Sequence, residues 1–160
     1  MLNALRTVEF LALGLWLGSD VFLSFVVAPG AFRVLASRDQ AGAVVGHSLW
    51  WMHMIGVVCG IVLLAARLIR TASPMSLVRP AALCVLLMIA LTVISQHVVS
   101  PRMAELRVKM GSIEATAEGN PLLAEFGKWH RVSVMVESGV LLAGIVGMWL
   151  MVGESVARSS

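Results

Sequence analysis

The chain has 160 residues, 59% of them hydrophobic and only 13% charged, with a formal net charge of +3 and a mean hydropathy of +0.90. A soluble domain carries about 25% charged residues, so this composition excludes an ordinary soluble enzyme and defines a membrane protein. The charges flank apolar runs instead of forming a basic tract, which suits lipid headgroups and argues against nucleic acid as a partner.

Four apolar segments approach the roughly 20 residues that a helix needs to cross a bilayer core. They are expected near 8–29, 45–68, 80–100 and 128–152 and predict an all-α, integral membrane four-helix bundle, with residues 1–160 as one domain. The first segment is read as a span and not a cleaved leader: it is long, it carries Asp20, and Pro29 follows Val-Ala at the cleavage position. Pro29 is expected to close this helix, and 30–44 to connect it to the second. Pro80 opens the third and Pro101 closes it, while Asn120-Pro121 reads as the cap and first turn of the fourth. Between them, MAELRVKMGSIEATAEGN predicts a helical extension and then a polar loop.

Pairs of small residues four apart, Gly14/Gly18, Gly56/Gly60 and Ala143/Gly147, predict close helix packing. Cys59 and Cys84 lie in apolar runs and read as small hydrophobes. No internal repeat stands out. Arg6, Arg67, Arg70, Arg79 and Arg158 fall on the side of the termini and Arg33, Arg38, Arg102, Arg107, Lys109, Lys128 and Arg131 on the other. That split is too even for the positive-inside rule to set an orientation.

The polar groups are expected to gather. Asp20 lies about 13 Å inside the Pro29 end. His47 and His53 enter the second helix from that side, His97 leaves the third beside Ser95, Gln96 and Ser100, and His130 and Glu137 enter the fourth. All of these fall in one half of the bilayer. Asp20 and Ser24 share a helical face, as do His130, Ser133 and Glu137; His47 and His53 are six apart, so only one faces inward. Intramembrane ionisable groups are costly and mark sites or pathways. The expectation is a polar pocket built from Asp20, Ser24, His47, Ser133 and Glu137, with His53, His97 and His130 as candidate cofactor ligands. Paired histidines on facing helices would suit a haem b, lined by Trp50, Trp51, Trp129 and Met54. Met52 and Met54 lie about 200° apart on a helix and cannot jointly serve a copper ion at His53. Ser133 with His130 lacks the sharp turn and oxyanion hole of a hydrolase, so no catalytic residue is assigned.

Two stretches carry a family resemblance: G-S-D-V-F-L-S-F-V-V-A-P-G-A-F at 18–32 with R-D-Q-A-G-A-V-V-G at 38–46, and F-G-K-W-H-R-V-S-V-M-V-E at 126–137 preceded by S-P-R-M-A-E-L-R at 100–107. In these the chain resembles a bacterial family of four-helix membrane proteins, catalogued as a domain of unknown function, whose eukaryotic relatives include transmembrane protein 205. The resemblance implies the four-helix architecture, a bacterial inner (cytoplasmic) membrane location, and His130 and Ser133 as motif positions; it implies no chemistry. Around L-W-W-M-H-M-I-G at 49–56 the chain is more loosely similar to copper-resistance-D-like proteins and haem proteins of the protoporphyrinogen oxidase J type. Two readings result: a redox-accessory protein holding haem b or a metal, or a cofactor-free small-solute transport or structural subunit. Its partners would be the lipid bilayer and further copies or a larger membrane complex.

Overall fold

In a computed structural model, which describes residues 2–156, four helices long and apolar enough to cross a membrane run over Leu2–Val34, Arg38–Thr71, Pro80–Met110 and Pro121–Val156. They are the four expected segments, each longer than expected. At 1.5 Å per residue they measure roughly 46–54 Å, against a hydrocarbon core of about 30 Å, so their ends project into the headgroups and beyond. Arg158 lies outside the described residues.

Pro29 and Pro101 do not close their helices, contrary to expectation. A π-helical turn, Leu23–Val27, stands just before Pro29, and a second, Ser95–Val99, just before Pro101. Proline lacks an N–H and its ring clashes with the carbonyl four residues back. In the wider turn the bonding shifts by one residue: the Ala28 N–H donates to the Leu23 carbonyl and the Ser100 N–H to that of Ser95. The helix absorbs the proline there and runs on. The two places are alike in sequence as well, L-S-F-V-V-A-P at 23–29 and S-Q-H-V-V-S-P at 95–101. The first helix packs chiefly on the second and the third on the fourth, so the bundle is two hairpins that each carry this device.

Because the first helix continues, the connection expected at 30–44 shrinks to residues 35–37, where the Ser37 side chain accepts from the Gln40 N–H at 3.2 Å. At the other end Ala72 adopts a left-handed conformation (φ 48°) before a short 3-10 turn, Pro74–Val78. The third helix extends to Met110, and Asn120 caps the fourth by accepting from the Leu122 N–H at 2.9 Å. The loop between them is pinned to the second helix through Asp39, which accepts from the Ser112 hydroxyl at 2.6 Å and the Ile113 N–H at 2.8 Å.

One stripe of the first helix, Glu9, Ala12, Leu13, Trp16 and Asp20, is buried. Its apolar members meet Leu63, Val85, Met88 and Val140 in the core. The small-residue pairs divide three ways. Gly147 comes close to the third helix, where an added Cβ would lie 3.2 Å from that of Cys84. Gly56 and Gly60 instead receive the Trp16 indole, which a Cβ on either would strike. Gly14 and Gly18 meet nothing within 4 Å, so they do not pack inside the bundle as expected. The outer surface is apolar all round, with Leu11, Leu15, Ile61, Leu87 and Leu142 exposed, as a lipid-facing surface should be. Gly56→Ala is expected to lower stability in detergent by about 1–3 kcal/mol through overpacking against Trp16, while Gly14→Ala is neutral. Thermal melts of the two variants check this.

Candidate functional site

Asp20, His53, Ser95 and Glu137 each lie within two residues of the middle of their helix. The polar groups therefore meet near the middle of the bundle's length. The sequence placed Asp20 about 13 Å from an end at Pro29; with the helix continuing to Val34 that depth becomes about 21 Å.

His53 is the centre of the cluster and is fully buried. Its Nδ1 lies 2.8 Å from Gln96 Oε1 and its Nε2 2.9 Å from Glu137 Oε1. The Ser95 hydroxyl donates to the same Glu137 oxygen at 2.7 Å. One imidazole thus joins the second, third and fourth helices. Asp20 is buried beside it, close enough to feel the charges of Glu137 and His53, and its Oδ1 accepts from the Ser24 hydroxyl at 3.2 Å. Asp20 Oδ2, Glu137 Oε2, Thr92 Oγ1 and Trp16 Nε1 are buried with no hydrogen-bond partner. Orphaned polar atoms of this kind are rare in proteins and gather where something is bound or moved. Both π turns contribute here: Ser24 lies in the first, Ser95 and Gln96 in the second. Irregular backbone at mid-membrane is tolerated where it lines a site.

The three candidate cofactor ligands do not come together. His47 and His97 are exposed on the outside of the bundle, His130 is exposed at the open end, and only His53 is inside. Ser133 and His130 line a groove above the cluster. The donor set does not fit haem. His53 offers no second histidine across from it, and both of its nitrogens are engaged. If Gln96 presents its oxygen, Nδ1 donates to it, and Nε2 donates to an ionised Glu137 or accepts from a protonated one; if the amide is turned over, Nδ1 accepts from it and Nε2 donates to Glu137. In neither arrangement is a lone pair left for iron. Among the described residues no group of three or more His, Cys, Asp or Glu side chains could hold a metal ion.

One feature lay outside the sequence reading. At the end that carries the termini, Arg67 is buried and donates to Glu154 at 2.7 Å and to the Ser76 carbonyl at 3.2 Å. Arg70 grips Glu9, with Nη2 to Oε2 at 3.0 Å. Arg67 Nη1 also lies 3.9 Å from Glu9 Oε2, and this clasp of three ion pairs, with the apolar core below it, seals that end. The signal was present: Glu9 falls on the stripe of Leu13, Trp16 and Asp20, at helical spacing. At the opposite end a groove of about 910 Å³ opens between the start of the second helix, the end of the third and the start of the fourth. Gln96 is in its lining, so the residue that holds His53 also faces the groove.

A family defined as a domain of unknown function (DUF4149) matches residues 11–112, well over half of the chain, and the protein belongs to that family. The match takes in the first three helices, including the second and third, and stops before the F-G-K-W-H-R stretch of the fourth. No curated protein and no solved structure matches the chain.

Asp20→Asn is expected to retain more stability than Asp20→Leu, by about 1–3 kcal/mol, because leucine leaves Ser24 and the neighbouring polar atoms without a partner. Melting both variants in one detergent measures the difference, and equal melting would remove Asp20 from the cluster.

Proposed function

We propose that the protein is a small-solute membrane carrier, or the proton-handling subunit of one, and that it works without a bound cofactor. The observation that carries this reading is the path of Gln96: its side chain lines the open groove and bonds His53, which in turn meets Glu137 beside Asp20. A mid-membrane site that is open at one end and closed by ion pairs and core at the other has the geometry of a carrier caught facing one side. The chemistry agrees. Two carboxylates and one imidazole in hydrocarbon are least costly when their net charge is zero, which takes two protons on three groups. Adding or withdrawing one of these protons changes the charge by one unit. That change is a means of tying solute movement to proton movement.

The motifs at 18–46 and 126–137 support kinship with transmembrane protein 205-like proteins, and with it a bacterial cytoplasmic membrane location. We read residues 1–160 as one domain that acts as a homo-oligomer or inside a larger membrane complex. We assign it neither a catalytic role nor a nucleic-acid partner. The looser likeness to copper-resistance-D-like and haem proteins finds no support in the engagement of His53.

Charge displacement after a pH step tests this on proteoliposomes adsorbed to a solid-supported membrane. The wild type is expected to give a transient current that Glu137→Gln reduces at least several-fold, while Arg79→Gln, on the exposed surface, leaves it unchanged. A Glu137→Gln current equal to the wild type, or a wild-type current equal to that of empty liposomes, would sink the proposal.

A further inference from the structure

We infer that the groove holds one acyl chain of an anionic phospholipid, with its phosphate at Arg107. This goes beyond the carrier reading and stands on the groove alone. The first argument is length. Gln96, near mid-height, and Arg107 both line the groove and both lie on the third helix. The 11 residues between them rise about 17 Å, close to half of the hydrocarbon core of about 30 Å. The groove therefore runs about 17 Å down the third helix, from Arg107 to the level of Gln96, a length that one acyl chain can fill. Phe32, Leu49, Trp50 and Met103 give it an apolar wall.

The second argument is charge. Arg38, Arg107 and His130 reach the lining, and none of the lining residues is Asp or Glu. Arg107 is held ready. Its Nη1 donates to the Gly42 carbonyl at 2.9 Å, and its guanidinium lies 5.6 Å from the centre of the Phe126 ring. Gly42 makes room for it, since a Cβ there would come within 2.7 Å of Nη2. Nε is buried with no partner, and no carboxylate pairs with Arg107 among the described residues. Asp39 acts on it only at a distance, both of its oxygens being taken by Ser112 and Ile113. A fixed, unpaired guanidinium at headgroup level matches a phosphate, which it can bind through parallel N–H donors.

Native mass spectrometry of the protein released from nanodiscs of phosphatidylglycerol and phosphatidylcholine in equal parts tests the inference. The expected result is one retained phosphatidylglycerol in preference to phosphatidylcholine. Arg107→Gln should cut that retention roughly tenfold. Ala104→Trp, at an exposed position in the groove lining, should cut it similarly by filling the space and not by disturbing the fold. Excess glycerol phosphate should not displace the lipid. Equal retention of the two lipids, unchanged retention in either variant, or displacement by glycerol phosphate would each overturn the inference. None of these readouts depends on charge movement at Glu137, so the groove and the mid-height cluster stand or fall separately.

Discussion

One imidazole, His53, sets the arrangement of the bundle. In a bilayer the apolar surfaces of the helices gain nothing by leaving lipid for one another, so packing and polar contacts decide which faces meet. Gln96 and Glu137 reach His53 from opposite sides and fix the rotation of the third and fourth helices about their axes. An interhelical hydrogen bond in a membrane contributes only about 0.6 kcal/mol on average. Removing one partner from a buried charged pair is a different matter and costs about 3–5 kcal/mol, because the remaining group stays buried. The cluster therefore specifies the arrangement more than it stabilises it. As a source of stability alone it is inefficient, since four nearby polar atoms are left without partners.

The three levels of the molecule follow from that centre. Below it, Trp16 lies across Gly56 and Gly60 and fills the space between the first two helices. Farther down, the Arg67–Glu154 and Arg70–Glu9 pairs close the end that carries the termini. Above it the groove opens, and the extension of the third helix past Pro101 forms one wall of it. The π turn at Ser95–Val99 carries the helix past the proline and so places Arg107 on a helix. The same turn changes the helical phase, so that Ser95, Gln96 and Val99 face inward or toward the groove while His97 faces out. The position of a proline thus reaches as far as the placing of the polar site.

Much of the fold was legible in the sequence, because length and hydropathy alone define a membrane span and Asn120-Pro121 is a local signal. The pairing of Asp20 with Ser24 was readable from helical spacing within one segment. Failures came where one element acts on another. Proline is a stop signal unless the preceding turn widens, and nothing in L-S-F-V-V-A-P announces that it will. The phase of His97 depends on the same widening. Gln96 went unnoticed as the partner of His53 because an amide between a serine and a histidine draws less attention than the histidine. Glu9 was near the start of a span and was passed over, although its spacing to Trp16 and Asp20 marked it as inward.

The central claim is that His53 is held at mid-membrane through both ring nitrogens, with none left for a metal. Nitrogen-15 NMR of the protein in lipid, with histidine ring labels and the His53 signals assigned from the loss seen in His53→Asn, tests it most directly. The account predicts that both ring nitrogens of His53 carry hydrogen-bonded shifts, that Glu137→Gln moves the Nε2 signal and Gln96→Leu the Nδ1 signal, and that added haemin moves neither. A ring nitrogen with the shift of a free lone pair, or a His53 signal that broadens on adding haemin, would contradict it.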